Sequence, residues 1–320
     1  MKVNVINQKA TDDFAIYHGD SVEVCKGLPE NSVGFIGFSP PFSSLFTYSN
    51  SVRDMGNSVT DDEFFNHFNF MIKDLYRILE PGRNLVFHIQ NTNLTKEHHG
   101  YIGTKDLRGD LIHLFEKAGF IFFTECVIWK DPLIEAVRTK NIKLAHKQVV
   151  KDSVMIGFGR NDFLIVMKKP GENKKPVAHK QGYLNWIGDE RFDPLGKYDS
   201  EQRHNKLSHN RFQRYAGIWW DIRQTRTLET KEGRDKDDDK HIAPLQLDVC
   251  ERLIEMYTNE GDIIFDPFVG IGTFAYQAIL MNRKAIGSEL KESYYKVAVK
   301  NCKKAVKIKN ERSKNELQFV

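Results

Sequence analysis

Cysteine is scarce in this 320-residue chain: Cys25, Cys126, Cys250 and Cys302 lie far apart, with no paired spacing. That excludes a disulfide framework and a cysteine-based metal site, and it reads the four thiols as buried. Long apolar runs are missing as well. No stretch approaches the roughly 20 residues of a membrane helix, and Met1-Lys2-Val3-Asn4 lacks the apolar core of a secretion signal. A cytoplasmic chain with no membrane partner is expected. Charge of one sign is not in excess: 47 basic against 43 acidic residues give a net +4, which permits a polyanionic partner without demanding one. Internal repeats are absent too. What remains, 40% hydrophobic and 28% charged residues, is the composition of a globular protein with one large core or two modest ones.

The pattern along the chain is strand then helix, repeated. Phe14–His18 reads as a strand turned by Gly19-Asp20 into a short helix ending near Leu28-Pro29. The apolar run from Val33 to Phe38 reads as the next strand. Thr60-Asp61-Asp62-Glu63 is a capping box for a helix with Phe64, Phe68, Met71, Ile72 and Leu75 on one stripe, stopped by Glu80-Pro81-Gly82. Strands follow over Asn84–Ile89, Ile121–Trp129 and Asp162–Met167, with a helix over Leu107–Ala118. This alternation predicts an α/β fold with a parallel sheet. Periodicity then lapses between Gly171 and Asp239, where Arg203, His204, Lys206, His209, Arg211 and Arg214 are interleaved with Phe212, Tyr215, Trp219 and Trp220. A structureless loop of that length inside a compact domain is improbable, so a separate recognition element is expected. Order returns with a helix over Leu245–Tyr257, a strand over Asp262–Phe265, a helix over Phe274–Met281, a strand over Lys284–Ser288 and a lysine-rich last helix.

Two constellations carry chemistry. Ser39-Pro40-Pro41-Phe42 sets a hydroxyl, a stiff backbone rich in acceptors and an aromatic face at one strand end. Such a group can hold a planar ring bearing an amino group, although Pro-Pro alone also suits an ordinary loop. Asp266-Pro267-Phe268-Val269-Gly270-Ile271-Gly272-Thr273 is a strand running through a Gly-x-Gly turn into a helix, which brings backbone N–H groups close to a ligand. Tight helix-strand packing is the competing explanation for those glycines. Glu289 ends the following strand, at the interval of about twenty residues where an acid accepts the hydroxyls of a ribose. The third glycine of a dinucleotide site is missing, and an acid at Asp266 suits a cationic moiety better than a pyrophosphate. Helix capping would account for either acid taken alone.

Ser-Pro-Pro-Phe paired with Asp-Pro-Phe-x-Gly-x-Gly-Thr resembles the DNA amino-methyltransferases. The tetrapeptide comes first, which resembles the β arrangement of that family. The likeness extends to Tyr17-His18-Gly19-Asp20, the segment from Phe123 to Lys130, Gly217-Ile218-Trp219-Trp220-Asp221-Ile222 and the block His241–Gln246. It implies a circularly permuted, Rossmann-like S-adenosylmethionine-dependent methyltransferase sheet. The expected division is a catalytic part over 1–170, an inserted target-recognition region over 171–235 and a cofactor part over 236–320. Catalysis is expected at Ser39, Pro40, Pro41 and Phe42. Cofactor binding is expected from Asp266, Phe268, Gly270, Gly272 and Thr273, with Glu289 on the ribose, Asp20 near the adenine, and His241, Pro244 and Leu245 at the methionine end. Arg203, Lys206, Arg211 and Arg214 are expected on phosphates of double-stranded DNA. No metal is implied, and a homodimer is implied only by analogy with relatives.

The implied reaction methylates the exocyclic amino group of a flipped adenine or cytosine. Serine at the first tetrapeptide position is commoner in cytosine enzymes, but nothing in Ser39-Pro40-Pro41-Phe42 forbids a purine. No cysteine follows a proline, which argues against methylation of a pyrimidine ring carbon through a cysteine nucleophile. Methylation of RNA or of a protein amide, and a non-catalytic DNA-binding module, are the alternative readings. No carboxylate-lysine cluster points to DNA cleavage.

Overall fold

A computed structural model describes residues 4–41, 61–94, 96–132, 146–157, 159–179, 213–229 and 244–317. Its strands are β1 (Asn7–Ala10), β2 (Phe14–His18), β3 (Phe35–Phe38), β4 (Asn84–Gln90), β5 (Thr92–Leu94), β6 (Gly103–Lys105), β7 (Ile121–Ile128), β8 (Asp162–Lys168), β9 (Ile218–Trp219), β10 (Ile263–Asp266) and β11 (Lys284–Glu289). Two compact units are present. The larger comprises residues 1–124, 165–176 and 223–320, and the smaller comprises 125–164 and 177–222.

In the larger unit the strand order is β1-β2-β11-β10-β3-β4. The pairs β2–β11, β11–β10, β10–β3 and β3–β4 are all parallel, so the carboxyl ends of five strands meet at one edge of the sheet. Along β3 every residue is buried, the pattern of a central strand covered on both faces. The sheet is not wholly parallel, as the alternation had implied: β1 runs antiparallel to β2. β1 is exposed at every position and polar in sequence, so no apolar period announced it.

Helix Asp61–Ile78 forms where the apolar stripe predicts, and Phe64, Phe68, Met71, Ile72, Leu75 and Ile78 are fully buried. Phe38 lies 6.3 Å from Phe68 and 6.1 Å from Phe87, so this aromatic core reaches the end of the strand that delivers Ser39. Each such pair contributes about 0.5–1.5 kcal/mol beyond its burial. Gly37 faces the other side of β3, where an added Cβ would sit 2.7 Å from the Phe35 ring and 2.8 Å from the Phe274 ring. All four cysteines are buried, as expected.

The opposite, amino-terminal edge is closed by Arg83, only 2% exposed. Its guanidinium donates to the carbonyls of Gly34 at 2.7 Å, Lys175 at 3.1 Å and Tyr257 at 3.3 Å, and pairs with the Asp262 carboxylate. Removing one member of a buried pair strands the other charge, at a cost of about 3–5 kcal/mol. Arg83→Met is therefore expected to lower the unfolding free energy by that amount in urea titrations, and an unchanged midpoint would contradict it.

In the smaller unit, β7 pairs in parallel with β9 through Val127↔Ile218 and Ile128↔Trp219. Trp219 is buried, and its indole N–H donates to the Arg214 carbonyl at 3.0 Å. Trp220 donates to Gln213 Oε1 at 2.6 Å while most of its ring is exposed, as are Tyr215 and Ile218. Lys130 and Asp162 form a buried ion pair at 2.7 Å.

Candidate active site

Parallel pairing explains how motifs far apart in sequence share one edge. β10 lies between β3 and β11, so Asp266, at its end, is flanked by the strand leading to Ser39 and the strand ending in Glu289. Ligands of open α/β sheets sit beyond such carboxyl ends. Beyond β2, the next strand out, Asp20 caps helix Ser21–Gly27 by accepting from Val22 N at 2.9 Å. It therefore has a capping role whatever else it does.

The turn after β10 is fixed at nearly every polar atom. Ser288 Oγ donates to the Pro267 carbonyl at 2.9 Å, and Ser21 Oγ donates to the same oxygen. Asn301 Nδ2 holds the Ile271 carbonyl at 2.8 Å. Gly270 and Gly272 both have positive φ, 53° and 92°, a region that costs any residue with a Cβ. Space matters as well at Gly272, where an added Cβ would lie 3.2 Å from the Ala298 backbone. Thr273 is the buried first residue of helix Thr273–Leu280.

Glu289 accepts from Gly270 N through Oε2 and from Lys291 N through Oε1, each at 2.9 Å. Asp266 is buried, and that burial pushes its carboxyl up to about 8; the Phe268 N–H, donating to it at 2.9 Å, opposes the rise and the nearby Glu289 adds to it. A buried acid, a strand-end carboxylate held by backbone N–H groups and a turn free of side chains at two positions are a set suited to S-adenosylmethionine, with its cationic methionine end and its ribose.

Phe268 is half-buried and has a packing role of its own. Its ring stacks on Phe68 at 6.1 Å and lies 5.8 Å from Phe38, so it joins the cofactor motif to the strand of the tetrapeptide. Pro244 and Leu245 lead into helix Leu247–Tyr257, which begins two residues later than its periodicity suggests because Gln246 is the cap. That segment is tied to residues 223–229, where Leu247 N donates to the Arg226 carbonyl at 2.9 Å; Leu228 packs against the cluster of Ile271, Tyr294 and Val297. Burial would raise the Asp248 carboxyl, but hydrogen bonds from Arg223 and Arg226 hold it at about 2.

Ser39 and Pro40-Pro41 follow β3 directly. The pair Phe38↔Phe87 sets Ser39 beside His88, with Ser39 Oγ 3.2 Å from His88 Nδ1 and 3.4 Å from the His88 carbonyl. His88 was missed in the sequence because it sits inside a run that reads simply as a strand. A polar residue near the carboxyl end of the strand after the tetrapeptide was the available signal. Arg214 lies in the short helical turn Gln213–Tyr215 of the smaller unit. Phe42, His241, Arg203, Lys206 and Arg211 lie outside the described residues. Among the described residues no cluster of potential metal ligands occurs, and no helix is long and apolar enough to cross a membrane.

Comparison with known proteins agrees with this geometry. The sequence pattern of a DNA methylase family matches residues 33–300. The orphan methyltransferase M.BamHII of Bacillus amyloliquefaciens is 37% identical over 269 residues, spanning 83% of this chain and 86% of that protein. The chain has the fold of two solved structures. One is a DNA modification methylase from Thermus thermophilus complexed with S-adenosylmethionine (TM-score 0.60, 22% identity, 90% of this chain and 92% of that one). The other is the PvuII cytosine-N4-specific DNA methyltransferase (TM-score 0.61, 17% identity, 96% and 95%). With Ser39-Pro40-Pro41 and the glycine turn at neighbouring strand ends and a family match over most of its length, the chain belongs to the DNA methylase family, the S-adenosylmethionine-dependent enzymes that methylate adenine or cytosine amino groups.

Proposed function

We propose that this protein methylates the exocyclic amino group of an adenine or cytosine flipped out of a specific duplex DNA sequence. The observation that supports it best is the adjacency of β3 and β10, which sets Ser39 and Asp266 at neighbouring strand ends. S-adenosylmethionine, when bound, supplies an electrophilic methyl group on a sulfonium. Glu289 would accept from its ribose hydroxyls, Asp266 would balance its positive charge, and Phe268 with the backbone of Gly270, Gly272 and Thr273 would line its site. His241, Pro244 and Leu245 serve its methionine end and Asp20 its adenine.

The amino lone pair of a nucleobase is delocalised into the ring and is a poor nucleophile. The protein's main contribution is therefore to position that nitrogen. Ser39 Oγ and the Pro40 carbonyl accept its two hydrogens, and prolines 40 and 41 keep that backbone from relaxing. Phe42 stacks on the extruded base, a contact of about 1–3 kcal/mol that offsets part of the flipping cost. A serine hydroxyl is too weak a base to deprotonate the amine beforehand. The methylated nitrogen is acidic enough to lose its proton to water afterwards.

Residues 171–235 are read as the target-recognition insertion, with Arg203, Lys206, Arg211 and Arg214 on phosphates. The order of the motifs fits a circularly permuted member of the family, in a cytoplasmic protein that acts as a homodimer. Incubating the protein with duplex DNA and S-adenosylmethionine, then digesting to nucleosides for mass spectrometry, is expected to yield N6-methyladenine or N4-methylcytosine. Methyl transfer to RNA or to protein in place of DNA would overturn the reading.

A further inference from the structure

We infer that His88 is a positioning residue for this reaction, holding the Ser39 hydroxyl so that its lone pairs are presented to the substrate amino group. The inference rests on the reading of Ser39 as an acceptor for that group. A serine hydroxyl carries one proton and two lone pairs, and the proton can rotate to any neighbouring acceptor. Left to itself the hydroxyl can equally point its proton at the incoming base, and a donor facing an amino group is a mismatch. Two polar groups on His88 prevent that. Nδ1 lies 3.2 Å from Ser39 Oγ and the main-chain carbonyl of the same residue lies at 3.4 Å.

The arrangement is built into the sheet and does not depend on a mobile loop. Phe38 and Phe87 are register partners on adjacent parallel strands, and their rings pack 6.1 Å apart. The following residue on each strand is therefore held at a fixed separation. With its proton on Nε2 the ring accepts from the hydroxyl through Nδ1; with its proton on Nδ1 it donates to Oγ and the hydroxyl proton turns to the main-chain carbonyl, so either tautomer leaves a lone pair for the substrate. The main-chain carbonyl survives any substitution, so the ring accounts for only part of the orientation.

The test is a cycle of single and double variants assayed for kcat, KM for duplex DNA and S-adenosylmethionine affinity. His88→Phe fills the same half-buried space without an acceptor, and is expected to lower kcat about tenfold, the equivalent of one hydrogen bond. His88→Asn, whose side-chain oxygen can take the place of Nδ1, is expected to recover most of that loss. KM for DNA and cofactor affinity should stay close to the parent values in both. In a Ser39→Ala background His88→Phe should cost nothing further, since a residue acting through the hydroxyl has nothing left to orient. Equal losses in the two backgrounds, or full turnover by His88→Phe, would overturn the inference and leave the role of Ser39 standing. Full turnover by Ser39→Ala would overturn both.

Discussion

Ser39→Ala is expected to reduce kcat for DNA methylation by on the order of a hundredfold or more, while the dissociation constant for S-adenosylmethionine stays within about twofold. The two quantities separate because the groups lie on different strands. Ser39 follows β3, whereas Asp266 and Glu289 end β10 and β11 and the glycine turn follows β10. Losing the hydroxyl removes one of two acceptors for the amino hydrogens and leaves the Pro40 carbonyl. The nitrogen is then free to rotate away from the methyl group, so the deficit falls on the chemical step. Single-turnover assays with pre-bound DNA, run beside calorimetric titration of the cofactor, measure both. A variant that turns over normally, or one that loses cofactor binding instead, would refute this division of labour.

Asp266→Asn is expected to give the larger effect on stability, with a sign that depends on pH. In the folded chain burial, reinforced by Glu289, places this carboxyl at about 8, against an ordinary value of 3.8. Between those values the folded state holds a proton that the unfolded state has released. Its contribution to stability is complete below about pH 4 and is lost as pH rises towards 8, with a slope of up to about 1.4 kcal/mol per pH unit. Asparagine keeps an acceptor for the Phe268 N–H and has no proton to lose. The variant should therefore gain on the parent steadily from pH 5 to pH 8 in urea unfolding. Parallel stability profiles would show that Asp266 is ionised throughout. The same acid links pH to cofactor binding, because a cationic ligand favours the carboxylate. Binding near pH 7 should release a proton, seen as a dependence of the calorimetric heat on buffer ionisation, and Asp266→Asn should abolish that dependence while weakening affinity.

Much of the site was legible because its parts are unusual locally. Adjacent prolines after an apolar run, and a Gly-x-Gly turn followed at a set interval by an acid, are features of backbone shape that sequence states directly. The central strands were legible for a related reason: β3 and β10 are short apolar runs bounded by turn residues. Features that depend on a neighbour were not. His88 gains its meaning only from the register of β3 against β4, and the residues that create that register lie 49 positions apart. Phe268 read only as part of a cofactor motif, and its packing on Phe38 and Phe68 is a second feature that the linear pattern cannot place beside it. β1 and β9 were missed because one is polar and exposed and the other is two residues long.

The position of β10 between β3 and β11 also governs how the protein can be made. Translation delivers β3 and β4 long before residues 263–289. Until those emerge, one edge of β3 has no strand to pair with, although all four of its residues are destined for the interior. An apolar strand edge left open for most of synthesis invites pairing with another nascent chain. Yield from a cell should accordingly respond to chaperone supply and growth temperature more than the finished fold's stability would suggest, and a ribosome stalled before Ile263 should display a sticky intermediate.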